Sequence, residues 1–191
     1  MAAKHLGLET IIAVDIADAK LELARELGAT HVLDSKTQNV LNEVHKITGK
    51  GASFAIDCTG DPSMIELLVE CIHPFGTAGS IGDAPAGVKI KIDALSFMVT
   101  GKTFVGLVEG DSLPQKVRYD CHRALAQFCC TRFTWILTAT SIQFLPELID
   151  LHKRGKLPLE RLVSTYSIKD LDRALEDMES GKVSLDRMPL L

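Results

Sequence analysis

From Thr10 to Gly82 the chain alternates short β-branched or apolar runs with helical patterns, an order that predicts βαβ units built on a parallel sheet. The runs that predict strands are Thr10 to Asp15, His31 to Asp34, Ser53 to Asp57 and Thr77 to Gly82, with a further one around Thr103 to Val108. Between the first two, Leu21, Ala24 and Leu27 fall on one face of Ala17 to Leu27 while Glu22, Arg25 and Glu26 point away. Gly28 follows where a left-handed C-terminal cap belongs. Asn39 to Thr48 repeats the design, with Val40, Val44 and Ile47 inward and Gly49-Lys50-Gly51 as its stop. Asp61-Pro62 opens a third helix with a side-chain cap and a proline in the first turn. Three right-handed crossovers are expected from this order. Toward the end, Ser167 to Ser180 predicts a helix with a capping box at Ser167 and Asp170, with Leu171, Ala174, Leu175 and Met178 inward and Gly181 as its stop. One stretch fits neither period: Lys116 to Thr140 holds three of the five cysteines and the single Trp, and reads as an aberrant insert between Gln115 and Ser141.

Composition adds exclusions. At 191 residues, 46% apolar and 24% charged, the chain is ordinary globular material. The net charge of −4 is spread along it, so there is no basic face for nucleic acid and no polybasic membrane tether. No apolar run approaches the roughly 18 to 20 residues that span a bilayer, and Met1 to Gly7 lacks the apolar core of a signal peptide, so a cytoplasmic protein is expected. The cysteines at 58, 71, 121, 129 and 130 form no Cys-x-x-Cys pair and no set at metal-ligand spacing, which predicts neither a disulfide framework nor a zinc site. The six histidines are scattered along the chain and form no ligand cluster in sequence. No catalytic residue is assigned to this chain.

The chemistry centres on Asp15, which ends the run Thr-Ile-Ile-Ala-Val-Asp. In a doubly wound nucleotide-binding sheet the second strand ends in an acid that bonds the adenosine ribose. A carboxylate there bonds both hydroxyls and repels the 2′-phosphate of NADP, so NAD is the expected cofactor. The competing reading is that Asp15 caps the following helix, a task open to Asp18 as well.

Val14-Asp15 with Lys20, followed by Ala24-Arg25-Glu26-Leu27-Gly28-Ala29-Thr30, resembles the zinc-dependent medium-chain alcohol dehydrogenase family, whose pattern is an acid, a lysine five residues on, and A-x-x-L-G-A. Further matches follow in order: Asp57-Cys58-Thr59-Gly60, Ile81-Gly82, Gly101 to Gly106, Leu148 to Leu151 with Lys153, and Gly155-Lys156-Leu157-Pro158. The resemblance implies that Lys20 also contacts the ribose; a solvated helix lysine is the alternative. It implies that Cys58, Thr59, Gly60 and Gly82 line the cofactor cleft, although the Cys58 thiol itself is expected to be a small buried group. It implies that Ile81 presses on the nicotinamide, against an alternative of plain core packing. Backbone groups near Leu107 and Glu109 would hold the carboxamide.

The fold expected is α/β, a truncated Rossmann-type doubly wound parallel sheet. Met1 to Leu6 reads as the end of the helix that follows the glycine turn, so the turn and the first strand are expected to be missing. In the order 3-2-1-4-5-6 that strand is central, and its loss predicts exposed apolar edges and an unstable chain. The expected domains are a partial NAD-binding domain over 1–108 and a C-terminal segment of the catalytic domain over 109–191, with Val183 to Leu191 a poor strand. By the resemblance, full-length members carry zinc on ligands absent here, and transfer hydride between NAD and an alcohol or aldehyde. Two alternatives stay open. One is a non-catalytic nucleotide-binding or dimer-pairing module that docks through Leu95 to Glu109, as a homo-oligomer or with a full-length relative. The other is a methyltransferase-like sheet, whose second strand also ends in an acid against a ribose.

Overall fold

A computed structural model describes residues 1–107 and 144–180. Expectations that fall on Val108, Glu109, the 116–140 stretch, Gly181, 183–191 and the 108/109 boundary lie outside the described residues. The chain divides into two compact units, Met1–Thr140 and Ser141–Leu191.

The first unit runs α1 (Ala2–His5), β1 (Ile12–Asp15), α2 (Asp18–Glu26), β2 (His31–Asp34), α3 (Val40–Thr48), β3 (Ala52–Asp57), α4 (Pro62–Cys71), β4 (Ile72–Ser80), α5 (Ala94–Thr100) and β5 (Thr103–Gly106). The three strand pairings among the described residues of this unit are parallel, as the alternating pattern demands. The hydrogen-bonded sheet comes in two pieces among the described residues, β1-β2 and β3-β4-β5. No described strand joins β1 to β3, at the place where the doubly wound order puts its central strand.

Local chemistry explains the boundaries. Helix α2 ends in a Schellman closure: the Gly28 amide donates to Arg25 O (3.0 Å) and the Ala29 amide to Ala24 O (2.8 Å), with Gly28 at φ +114°. Asn39, Asp61 and Asp93 cap α3, α4 and α5, each accepting a backbone N–H of the first turn. Helix α3 buries Val40 and Val44 against Leu33 and Cys71, with Ile12, Val14 and Ala52 packed around them. It thereby ties the two pieces of sheet together on one face. A second cluster sets Val69, Ile72 and Ala78 against Phe97 and Phe104.

Two expectations need correction here. The fourth strand starts at Ile72, five positions before Thr77: Ile72 pairs with Ala52 and the ladder resumes only at Phe54 with Thr77. The residues between are thrown out of register, with Phe75 at φ +65°, because Pro74 has no N–H to donate and Gly76 lets the chain fold back. In the second unit, α6 (Phe144–Lys153) precedes α7 (Leu171–Glu179), and Ser167 caps a 3-10 turn, Ile168–Asp170, that leads into α7. Of the four positions expected inward, Ala174 is buried, whereas Leu171 and Leu175 stay exposed. So small a unit has little apolar material with which to cover a full helix stripe. No described helix is long and apolar enough to cross a membrane.

Candidate functional site

In a parallel sheet, ligands bind beyond the carboxyl ends of the strands. Asp15 ends β1, Asp57 ends β3, Ser80 ends β4 and Gly106 ends β5, so the residues singled out in the sequence sit at strand ends.

Asp15 Oδ1 accepts the amides of Ile16 (2.7 Å) and Ala17 (2.9 Å). These bonds fix the carboxylate and leave Oδ2 without a hydrogen-bond partner among the described residues. Asp18 does not take the capping role expected of it: it is the first helical residue, and the N-cap, Ala17, offers no side-chain bond. The turn that Asp15 closes lets the helix start at Asp18, one residue too early for Asp18 to be its cap. Asp34 stands beside Asp15 in register at the end of β2, so two carboxylates share this rim. The amide of Lys36 and the hydroxyl of Thr37 bond Asp34 and hold its carboxyl below the ordinary range. Lys20 lies exposed in the first turn of α2.

At the ends of β3 and β4 two loops meet. Cys58, Thr59 and Gly60 form one; Ile81 and Gly82 form the other. The Ile81 and Gly82 amides donate to Asp57 O at 2.9 and 3.3 Å. The loops cross backbone to backbone, since a Cβ on Gly82 would lie 2.0 Å from Gly60 N. Gly60, at φ +71°, would put a Cβ 2.5 Å from Asp83 O. Glycine is therefore demanded at both positions by the crossing itself. Ile81 is 49% exposed, which is not a core position. Leu107 follows β5 and donates its amide to Ser80 O at 2.9 Å, so it borders the same rim.

Cys58 is exposed, contrary to the buried thiol expected, because it is the first residue past the strand and its neighbour Asp57 takes the interior position. Partial desolvation and the Asp57 charge both raise its pKa, which keeps the thiol protonated and a poor nucleophile. Cys71 is buried, and burial, with Glu70 adding to it, pushes its thiol up to about 11. The described residues bring no three His, Cys, Asp or Glu side chains together in a way that could hold a metal ion.

Sequence reading missed Asp57 and Asp34 as site residues. Asp57 is 4% exposed and accepts four hydrogen bonds, from Thr59 N, Thr59 Oγ1, Gly60 N and Ser80 Oγ. Burial alone raises its pKa, but these bonds together outweigh it and hold the carboxyl below the ordinary range. The available signal was an acid at a strand end followed by Thr and Gly.

Comparison with known proteins gives the rim its context. The chain is 29% identical to a geraniol dehydrogenase from Castellaniella defragrans over 95% of its own length and 42% of that protein's. It superimposes with a TM-score of 0.78 on benzyl alcohol dehydrogenase from Acinetobacter calcoaceticus, at 32% identity, covering 95% of this chain and 43% of that one. An alcohol dehydrogenase zinc-binding domain protein from Burkholderia ambifaria gives the same TM-score at 35% identity, covering 95% and 42%. The chain thus spans less than half the length of these relatives. The profile of the zinc-binding dehydrogenase family matches residues 1–127, and this chain belongs to that family.

Proposed function

We propose that this chain supplies the cofactor-holding layer of an NAD-dependent alcohol dehydrogenase. One observation carries the reading: in a member of this family, Asp15 ends its strand with one carboxylate oxygen fixed by the turn and the other free for a ribose hydroxyl. With Asp34 beside it, the rim carries two negative charges that oppose the 2′-phosphate of NADP. Lys20 would complete the adenosine end. The loop of Cys58, Thr59 and Gly60, with Gly82 crossing it, forms a wall of the cleft, Ile81 supports the nicotinamide face, and backbone groups at Leu107 and Glu109 orient the carboxamide. A nicotinamide cofactor bound in the whole enzyme would supply the hydride acceptor for an alcohol carbon, and the residues named here would hold and orient it.

Calorimetric titration with NAD and NADP tests this. Saturable binding of NAD that is tighter than NADP is expected; absence of NAD binding removes the role.

A second reading is favoured by α5, where Leu95, Met98 and Val99 are 67%, 70% and 71% exposed at positions i, i+3 and i+4. This stripe would pair with a second copy of the chain. Light scattering on the wild type and on Met98→Glu tests it: a dimer that the substitution dissociates supports pairing, and a wild-type monomer excludes it.

A further inference from the structure

The two loops of the proposed cofactor wall hang from one residue, Asp57, through its carboxylate and its backbone carbonyl. Asp57 Oδ1 accepts Thr59 N at 3.0 Å and Thr59 Oγ1 at 2.6 Å; Oδ2 accepts Gly60 N at 3.1 Å and Ser80 Oγ at 3.0 Å. Its carbonyl holds Ile81 and Gly82. A buried carboxylate without such partners is costly, because its charge loses water without replacement. Here both oxygens are filled by neighbours from two different strand ends, and the residue is 4% exposed. The bonds also act on a crossing that has no slack, given the 2.0 Å approach a Gly82 Cβ would make to Gly60 N. A small change at Asp57 therefore moves Gly60 and Ile81 together.

We infer that Asp57 is a positioning residue that locks the 58–60 and 81–82 loops into one wall at the nicotinamide end of the cleft. The inference rests on the cofactor reading above and assigns Asp57 no contact with cofactor or substrate. It separates the two halves of the site: Asp15 serves the adenosine end, and Asp57, through its loops, serves the other.

Asp57→Asn keeps size and one acceptor but turns an N–H₂ toward the Gly60 amide and Ser80. Titration of the full chain with NAD and with AMP reads the difference. The variant is expected to bind NAD about tenfold more weakly, the scale of one unsatisfied buried polar group, and AMP within about twofold of wild type. A parallel loss of both ligands, or no loss of NAD, overturns the inference. Amide hydrogen exchange supplies a readout without ligand: Gly60 should exchange about tenfold faster in Asp57→Asn while the β3–β4 ladder amides stay unchanged. If wild type binds neither ligand, the cofactor reading fails, and the exchange result decides the lock alone; an unchanged Gly60 rate overturns it. If Asp57→Asn does not fold, Ser80→Ala, which removes one donor and leaves the carboxylate, should show the same pattern at about threefold, and no difference from wild type overturns the inference.

Discussion

At the scale of single residues, three carboxylates at strand ends do different work because their hydrogen bonds differ. Asp34 and Asp57 have both oxygens engaged, whereas Asp15 has only one engaged by the turn. Asp15→Asn keeps the turn acceptor and removes the charge, so the affinity ratio of NADP to NAD should rise about tenfold, or 1.4 kcal/mol; titration with both nucleotides checks it. Asp57 makes a prediction in pH. Its carboxyl is held below the unfolded value of 3.8, so its stabilising contribution is full above that value and is lost as pH falls through the folded pKa. Urea midpoints measured from pH 7 to 2.5 should show the wild-type advantage over Asp57→Asn shrinking across the acid end; a constant difference would speak against it. The thiols diverge too. Alkylation at pH 8 with peptide mapping should modify exposed Cys58 slowly and leave Cys71 untouched, since its thiol is buried and raised to about 11.

At the scale of elements, the helices were legible because their signals are local. Asn39 and Asp61 cap where the side-chain chemistry says, and Leu21, Val40 and Val44 are buried as their spacing requires. The start of β4 was not legible, because Ile72 pairs across residues that Pro74 and Phe75 push out of the ladder. Nor was the role of Asp57 legible: Ser80, one of its partners, lies 23 positions away, and only the fold brings it near. The loop crossing is equally invisible in sequence, where Gly60 and Gly82 look like cofactor-contact glycines. The structure gives them a steric reason of their own. Gly82→Ala should therefore cost about 3 kcal/mol, the upper range for overpacking, against near neutrality for Gly106→Ala, where an added Cβ meets nothing within 4 Å. Denaturant unfolding of the two variants checks the contrast.

At the scale of the whole molecule, the sheet of the described residues is bonded in two pieces, and α3 bridges them through one apolar cluster. Phe54 and Ile56 of β3 are exposed, on a strand that pairs with β4 alone among the described residues. A broad thermal transition with dye binding is expected from the chain by itself, and a sharp two-state transition would contradict that expectation. A ligand that binds the folded form alone should raise the midpoint by mass action. The most direct test is calorimetric titration of the full chain with NAD, with NADP and Asp15→Asn in parallel. The account predicts saturable NAD binding, weaker NADP binding, and a narrowed gap between them in the variant. Absence of NAD binding, or equal affinity for the two nucleotides in wild type, would contradict it.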